Sequence, residues 1–432
     1  MFQTIRNAWK ITDLKQKILF SLFILLLYRI GAQIPVPFLD QAVVGSINQA
    51  AAGILQYLNI LSGGAFANAT LFALGISPYI TASIVIQLLT VAIPPLERLA
   101  KEGEEGQKKL NQITRYVTVA LALLTAIGYY FMLKGYSYLT DTGIFAAVVI
   151  VACYCAGSSL VMWLAEKINE SGIGNGISLI LFANIVSRGP AILSGLWSYA
   201  SGKVNGIAVW LGIIIAVLAV VIGIGMIALI VFITNSERRL PVQYAKKVVG
   251  RKMYGGQNST LPIKLNNTGV MPIIFASSIV SIPATIGMFV NPKKGSFWAG
   301  FFDLFDSGSW LYAVLTFILI IAFAYFYILI SFNPVEVSNN LKKNGGSIPG
   351  IRPGKPTSDY IKRVLNRITL IGAIFLGFIA VFPMVINLVS GASMSALAFT
   401  GSSVIIIVGV IIETAREIEG QMTMRHYKGF LE

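Results

Sequence analysis

Ten apolar runs, each about as long as a lipid bilayer is thick, constrain the fold of this chain more than any other feature. A membrane-spanning helix needs about 20 predominantly apolar residues. The runs are Ile18–Ile34, Leu71–Ile93, Ile113–Leu133, Gly143–Leu164, Ile177–Leu196, Ile207–Ile233, Val270–Val290, Leu311–Phe332, Ile368–Val389 and Ala396–Ile412. The pattern predicts a chain that crosses a membrane ten times.

Composition supports the same class. The 432 residues are 56% hydrophobic and 12% charged, whereas soluble domains carry roughly 25% charged residues. In the hydrocarbon core, only helices and closed barrels satisfy every backbone hydrogen bond internally. Runs of this length therefore predict an all-α, polytopic membrane protein.

The positive charges predict the orientation. An even number of spans puts both termini on one side, and that side carries 27 of the 33 lysines and arginines. Such an excess marks the cytoplasmic face, so both termini are predicted to be cytoplasmic. Arg29 lies near the external end of the first run, where its long side chain can reach the interface.

The stretch from Gly53 to Pro95 contains no charged residue. It is too long for one crossing and too short for two. Its first part, Ile54 to Phe66, is interrupted by Ser62-Gly63-Gly64, and its second part is long enough to span. The pattern indicates a short half-helix, a polar elbow and a full crossing. A helix lying on the membrane surface is the alternative on these residues alone.

Two cytoplasmic connections, residues 236–268 and 333–367, are long for linkers. With the span count they favour two halves of five spans each, residues 1–202 and 203–432, with the break near Gly202. The halves show no repeated motif that can be aligned by eye.

The first long connection alternates basic pairs with apolar residues. Val242-Gln243-Tyr244 and Lys247-Val248-Val249 are typical of strands, and Gly255-Gly256 is typical of a turn. A basic hairpin of this kind suits RNA phosphates or an acidic protein face. Lipid headgroups are the simpler partner, and the sequence leaves the choice open.

The second long connection contains GSIPGIRPGKPTSDYI. A phosphate-binding loop requires G-x-x-x-x-G-K-[ST], but here the glycines are one residue too close and Pro356 follows Lys355. Proline also removes amide donors, so nucleotide binding is excluded. The prolines favour a stiff loop that displays Arg352 and Lys355 to an acidic partner, and a solvated tether is the alternative.

Residues for catalysis or metal binding are scarce. The only histidine is His426, in the C-terminal tail, and the two cysteines, Cys153 and Cys155, lie within one apolar run. No zinc, redox or nucleophile motif surrounds them. The sequence predicts a protein that is not an enzyme and that carries no metal and no cofactor.

Two pairs of aliphatic residues lie at helical spacing. Ile80 and Ile84 fall on one face of the second span, and Ile177 and Leu181 fall on one face of the fifth. Such faces usually contact lipid or neighbouring helices, and the lining of a pore is the less common alternative.

Several segments together resemble the SecY family, the channel subunits of bacterial protein translocases. The similar segments are RIGAQIPVP at 29–37, LGISPYITASIVIQLL at 74–89, KKLNQITRY at 108–116, GIGNGISLI at 172–180, ERRLPVQYAKK at 237–247, LPIKLNNTGVMPIIFASSI at 261–279 and NPVEVSNNLKKNGGSIPGIRPGKPT at 333–357. They extend along essentially the whole chain, so the resemblance is specific.

The resemblance implies ten helices in two pseudo-symmetric halves around an hourglass pore, with a lateral gate between the second and third and the seventh and eighth spans. A ring of aliphatic side chains would form the waist of the pore: Ile80, Ile84, Ile177, Leu181, Ile274 and Ile406. A re-entrant half-helix, about residues 54–68, would form a plug beside the ring. Its residues would include Tyr57, Leu58, Ile60, Leu61, Gly63, Gly64 and Phe66.

The resemblance also implies partners. Two small membrane subunits, SecE and SecG, would bind the chain, and the SecA motor or a ribosome would dock on the cytoplasmic loops. The docking residues would be Arg251, Lys252, Arg352 and Lys355. Preproteins with their signal peptides would be the substrates, hydrophobic segments would leave into membrane lipid, and the site of action would be the bacterial cytoplasmic membrane.

Two other functions fit part of the pattern. A secondary transporter of a small solute also shows ten spans and a broken helix, but it needs charged or clustered polar groups at the midplane. The spans offer only scattered Gln87, Asn184 and Asn387. An insertion scaffold without a pore is the third possibility.

Overall fold

The fold was analysed on a computed structural model. It describes residues 6, 8–40, 59, 62–135, 138–201, 209–244, 247–249, 252–254, 258–266, 269–283, 286–287, 297–305, 309–390 and 401–428. Among these residues, helices account for most of the structure, and short strands occur only in the two long connections.

The helices are numbered here in chain order. They are α1 (Thr12–Gly31), α2 (Ser77–Ala92), α3 (Pro94–Lys101), α4 (Glu104–Gly135), α5 (Ile144–Ser171), α6 (Gly176–Ser187), α7 (Gly189–Ala200), α8 (Val209–Asn235), α9 (Met271–Val280), α10 (Phe297–Leu304), α11 (Trp310–Ser331), α12 (Pro334–Lys343), α13 (Lys355–Ser390) and α14 (Gly401–Lys428).

Six of the described helices are long and apolar enough to cross a membrane. A seventh candidate is the pair of α2 and α3, which bends by 102° at Ile93. The bend follows from Pro94 and Pro95, because the residue before a proline is pushed out of the helical region. The chain is therefore a multi-span membrane protein, and the count of ten spans remains a prediction.

The predicted spans differ in how fully the structure describes them. The predicted fifth span, Ile177–Leu196, corresponds to one candidate span, Gly176–Gly195, with an interruption at Arg188, which caps α6. The predicted seventh span corresponds to the ten residues of α9 and to further helical residues that the structure describes only in part. The predicted division near Gly202 lies outside the described residues.

The elbow also differs from the prediction. Residues 62–76, here called the elbow segment, form successive turns and one isolated bridge between Thr70 and Pro35. The predicted half-helix therefore does not extend to residue 68, because Gly63 and Gly64 adopt positive φ angles of 65° and 92°, outside the right-handed helical region. The second span begins as a helix at Ser77 rather than at Leu71, with Pro78 in its first turn, where the missing amide costs no hydrogen bond.

The first long connection forms strands, as predicted for Val242-Gln243-Tyr244 and Lys247-Val248-Val249. They belong to β1 (Glu237–Tyr244) and β2 (Lys247–Val249), followed by β3 (Lys252–Tyr254) and β4 (Asn258–Lys264). β1 pairs with β4 and β2 pairs with β3, all antiparallel. The predicted turn at Gly255-Gly256 lies outside the described residues.

The second long connection is more ordered than predicted. It contains α12, the short strand β5 (Gly346–Ser347) and the first turns of α13, which begins at Lys355. β5 pairs with β1, so the sheet order is β4-β1-β5. Residues 344–345 and 348–354 lie between regular elements. Pro356 occupies the first turn of α13, a position that proline tolerates.

Candidate functional site

The six aliphatic residues predicted for the ring come together in one apolar cluster. Five of them are buried, and Ile177 packs against the cluster with partial exposure. They come from four helices: α2 (Ile80, Ile84), α6 (Ile177, Leu181), α9 (Ile274) and α14 (Ile406). Two of these helices belong to residues 1–202 and two to residues 203–432. Residues far apart in the chain therefore belong to one extended apolar cluster that includes helices of both predicted halves.

The helices begin close to this cluster. Ile80 and Ile274 each lie in the first turns of their helices, and each helix has a proline at its start. The first turn of α6 is capped by Asn175, whose side chain accepts hydrogen bonds from the amides of Ile177 and Ser178 at 3.0 and 3.3 Å. Irregular backbone at membrane depth is stable only inside protein or beside a cavity. Part of the cluster therefore lies at the starts of α2, α6 and α9, where the regular helical backbone begins.

A cavity of about 370 Å³ lies beside the elbow segment. Its volume is within the range of small-molecule and peptide side-chain pockets. The lining combines apolar side chains with hydroxyls. It includes Ser77, Thr81 and Val85 on α2, Leu121, Leu124 and Thr125 on α4, Ser278 on α9 and Ser281 at its C-terminal cap, together with Ile282 and Phe66. No lining residue is charged, so the cavity suits an apolar occupant.

Three of the hydroxyls that line the cavity donate to main-chain carbonyls three or four residues earlier in the chain. Thr81 donates to the carbonyl of Ser77 at 3.1 Å, Thr125 donates to that of Leu121 at 2.8 Å, and Ser281 donates to that of Ser278 at 2.7 Å. An occupant can therefore enter without leaving these groups unpaired. The two faces of the cavity come from the first-half helices α2 and α4 and the second-half helix α9, so it lies at an interface between the predicted halves.

Two tyrosines hold the downstream end of the elbow segment through hydrogen bonds to its main chain. Tyr129 on α4 donates to the carbonyl of Phe66 at 2.5 Å, and Tyr154 on α5 donates to the carbonyl of Ala69 at 3.3 Å. Both tyrosines are completely buried, and their rings are 5.0 Å apart. The Phe66 ring lies 4.5 Å from that of Tyr129. This end of the segment is therefore fixed to the first half.

The upstream end of the elbow segment contacts Arg29 and Asn184. The Arg29 guanidinium donates to the Asn184 side-chain oxygen at 3.5 Å. A methyl group added at Gly63 would lie 2.9 Å from each of these two polar groups. The sequence did not predict that Arg29 lies against α6 and the elbow segment; the reach of its side chain to the interface stays a prediction.

The predicted plug residues are described only in part. Gly63, Gly64 and Phe66 lie in the elbow segment, and Phe66 is buried. Four others lie outside the described residues: Tyr57, Leu58, Ile60 and Leu61. The packing of the predicted plug against the aliphatic cluster therefore remains a prediction.

The two long connections pack into one body. Its apolar core contains Leu240 and Ile263 from the sheet, Ile348 from the turn, and Ile361 and Leu365 from α13. Ser338 on α12 donates to the carbonyl of Gly354 at 2.7 Å, and Thr357 donates to that of Arg352 at 2.8 Å. The turn that displays Arg352 is thus fixed on both sides.

The structure describes three of the four predicted docking residues. Arg352 and Lys355 are exposed at the start of α13, Lys252 lies in β3, and Arg251 lies outside the described residues. The pairing of β1 with β5 joins Gln243 to Ser347 across about 100 positions of the chain. No local sequence pattern relates residues so far apart, so the sequence did not predict that the two connections share one core.

Side-chain hydrogen bonds that the sequence did not suggest connect α14 to both predicted halves. Arg416 donates to the carbonyl of Thr234 at 3.1 Å and to the side chain of Asn235 at 2.9 Å, both at the end of α8. The Glu417 carboxylate accepts from the amide of Gly174 at 3.0 Å. The only sequence signal was the clustering of charges immediately after the last apolar run.

Metal and redox sites are not found among the described residues. No group of three His, Cys, Asp or Glu residues could hold a metal ion there. Cys153 and Cys155 are free thiols with intermediate exposure.

Comparison with solved structures shows the same fold. The structure of a protein-conducting channel matches with a TM-score of 0.64 and 18% sequence identity, covering 94% of this chain and 92% of that one. A study of the plug domain of the SecY protein provides a second match, with a TM-score of 0.59 and 17% identity over the same shares. Sec61 in the canine ribosome–channel complex from the endoplasmic reticulum matches with a TM-score of 0.62 and 18% identity, again over 94% and 92%.

Sequence comparison establishes the family. The protein translocase subunit SecY of Streptomyces galbus is 44% identical over 447 aligned residues, covering 100% of both chains. That of Mycobacterium bovis is 43% identical over 452 residues, again covering 100% of both. The family model described as SecY matches residues 70–415. On this evidence the chain belongs to the SecY family.

Proposed function

We propose that this chain is the protein-conducting channel subunit of a bacterial translocase. It passes unfolded preproteins across the cytoplasmic membrane and releases hydrophobic segments sideways into lipid. The observation that carries the proposal is the apolar cluster: it includes six aliphatic residues from four helices of both predicted halves, and three of its helices or their neighbours also line an uncharged cavity.

The chemistry of the cluster suits this task. A channel for polypeptides must accept many different side chains, so a specific binding site would hinder it. An idle channel must still block ions, and a constriction of aliphatic side chains does so by excluding water. We propose that Ile80, Ile84, Ile177, Leu181, Ile274 and Ile406 form this constriction, and that residues around 54–68 form a plug beside it.

The cavity supports a lateral gate between α2 and α4 on one side and α9 and α11 on the other. Its apolar lining and internally bonded hydroxyls would accept the hydrophobic core of a signal peptide. Since the lining comes from both predicted halves, separation of the halves there would open a path into the lipid.

The driving force is proposed to come from partners. The channel would be passive and non-catalytic, driven by the SecA motor, by a translating ribosome or by the membrane potential. The body formed by the two long connections would dock the motor or ribosome through Arg251, Lys252, Arg352 and Lys355, on the cytoplasmic side with both termini. SecE and SecG would be the small membrane subunits.

A secondary transporter is the competing function, and the polar residues weigh against it. Asn184 is engaged with Arg29 near one end of α1, and Gln87 lies on α2 with partial exposure. In the described spans these residues do not cluster into a charged midplane site, which a coupled transporter requires.

Reconstitution tests the proposal. The chain is incorporated with SecE and SecG into vesicles that hold no other protein, and SecA, ATP and a preprotein are added outside. We expect the preprotein to become protected from protease, with protection lost when SecA is omitted. Uptake of small solutes without preprotein protection would contradict the proposal and favour the transporter.

A further inference from the structure

We propose that Arg363 and Arg367 bind the phosphate of an anionic phospholipid, at a site on the exposed face of α13 beside α11. The site is separate from the proposed constriction and from the predicted docking residues, and the inference does not depend on the channel function. Three observations carry it: the direction of one helix face, the packing of α11 beside that face, and the ion pairs of the described residues.

The exposed residues in the middle of α13 lie on one face of the helix. An α-helix has about 3.6 residues per turn, so positions three, four or seven apart fall on the same side. The exposed face of α13 consists of Arg363, Arg367, Leu370, Ile371, Ile374 and Phe378. The other side is packed against the rest of the chain, with Ile361, Leu365 and Leu376 buried. The two arginines therefore lie in line with the exposed apolar side chains.

This face is suited to contact with lipid. α13 is one of the helices that are long and apolar enough to cross a membrane, so its exposed Leu370 and Phe378 would lie against the hydrocarbon. Arg367 precedes Leu370 by three residues, about 4.5 Å along the axis, and Arg363 lies about 6 Å further away. Both guanidinium groups therefore belong at the boundary between hydrocarbon and headgroups, which long basic side chains can reach.

Helix α11 packs closely beside the same face. The Tyr325 hydroxyl on α11 donates to the carbonyl of Asn366 at 3.2 Å, one residue before Arg367. Further into the span, a methyl group added at Gly377 would lie 2.7 Å from the ring of Phe317 on α11. Tyrosine is enriched at the level of lipid headgroups. The two helices therefore form one surface with an apolar part and a basic end.

The positive charge of this surface is not neutralised within the part of the chain that the structure describes. The four ion pairs found there involve neither Arg363 nor Arg367. Asp359 lies one turn before Arg363 and further from the hydrocarbon, and it forms no ion pair with that arginine. The planar guanidinium group matches the oxygens of a phosphate.

The charge also selects the class of lipid. A zwitterionic lipid brings its own cation beside the phosphate, which opposes the approach of two arginines. An anionic lipid such as phosphatidylglycerol has no such cation, and basic residues at the cytoplasmic end of a spanning helix favour anionic headgroups. Arg363 and Arg367 lie at the end of α13 that is predicted to be cytoplasmic.

Native mass spectrometry tests the site on the purified chain, alone and in complex with SecE and SecG. Delipidated protein is titrated with phosphatidylglycerol and, in parallel, with phosphatidylcholine of the same acyl chains. We expect the wild type to bind phosphatidylglycerol more tightly than phosphatidylcholine. The double variant Arg363→Gln/Arg367→Gln should bind phosphatidylglycerol at least about tenfold more weakly than the wild type. Equal affinity of the wild type for the two lipids, or unchanged affinity of the double variant, would overturn the site.

Lys342→Gln/Lys343→Gln is the matched control, because it removes two exposed positive charges at the end of α12, away from the exposed face of α13. This variant should keep the wild-type affinity. An equal loss in both double variants would show a general charge effect and overturn the site. Binding by the chain alone that disappears in the complex would show that a small subunit covers this face, which would also overturn it.

A photoreactive phosphatidylglycerol, with its reactive group near the headgroup, tests the site without any substitution. It therefore decides the question if the arginine variant fails to fold, as judged by thermal unfolding in detergent. We expect label in the wild-type complex within residues 363–378 and in the adjoining part of α11. Excess phosphatidylglycerol should reduce this label, and excess phosphatidylcholine should not. Label confined to other helices would overturn the site.

Discussion

The hydroxyl of Tyr129 donates to the main-chain carbonyl of Phe66 at 2.5 Å, although the two residues are 63 positions apart. The Phe66 ring packs on the same tyrosine with a centroid distance of 4.5 Å. The elbow segment is therefore fixed to α4 by both a hydrogen bond and a ring contact. In the proposed channel, this junction is the boundary between the plug and its stationary support.

Tyr129→Phe removes the hydrogen bond but keeps the ring. It leaves a buried carbonyl without its partner, which costs about 1–3 kcal/mol. We expect a lower apparent melting temperature in detergent and a higher resting ion leak. Tyr116→Phe is the control, because Tyr116 lies on the same helix with 76% of its surface exposed. An equal effect of the two substitutions would contradict the anchoring role of Tyr129.

Gly63→Ala and Gly64→Ala separate steric conflict from backbone strain. Both glycines have positive φ, where an L-residue costs roughly 1–2 kcal/mol. Only Gly63 faces the Arg29 and Asn184 side chains, whereas a methyl group at Gly64 meets nothing within 4 Å. We therefore expect Gly63→Ala to leak ions more than Gly64→Ala in conductance measurements. The reverse order would show that the packing at Gly63 does not hold the closed state.

Ile84→Asn places an amide within the apolar cluster. A polar side chain stabilises water in a constriction that otherwise excludes it, so we expect ion flux through the idle channel to rise. Val91→Asn is the matched control on the same helix, where 58% of the residue is exposed. The measurement is chloride or potassium release from vesicles. An equal or larger release with Val91→Asn than with Ile84→Asn would contradict the proposed constriction.

Arg352→Glu tests the docking surface. The turn is fixed by hydrogen bonds from Ser338 and Thr357 to its backbone, so the substitution should change charge without unfolding the body. We expect SecA- or ribosome-dependent transport to fall at least about tenfold, a loss typical of a buried charged contact. Lys362→Glu, exposed further along α13, makes the same charge change as a control. Full transport by Arg352→Glu would remove Arg352 from the docking surface.

Much of this organisation follows from local sequence signals. The apolar runs predict the helices, since their length and lack of charge leave few alternatives. The strands β1 and β2 follow from alternating Val242, Tyr244 and Val248. The pairs Ile80–Ile84 and Ile177–Leu181 are visible as helical spacing, but spacing alone cannot say that both pairs belong to one apolar cluster.

The contacts between distant residues could not be predicted. The hydrogen bond of Tyr154 to Ala69, the contact of Arg29 with Asn184 and the pairing of β5 with β1 all join segments that no local pattern relates. Helix boundaries were also misplaced where a single residue decides them, as with Pro78 at the start of α2. In each case a tertiary contact or the local backbone geometry determines the structure, and the apolar pattern of the sequence does not reveal it.

Site-specific photo-crosslinking to a trapped preprotein tests the central claim most directly. A photoreactive residue is placed in turn at positions 84, 181, 274 and 406, and at the lipid-exposed position 217 on α8, where 57% of Val217 is exposed. A preprotein fused to a folded domain is then arrested during transport. The account predicts crosslinks from all four cluster positions and none from position 217. An arrested preprotein that crosslinks to none of the four would contradict a pore at this cluster.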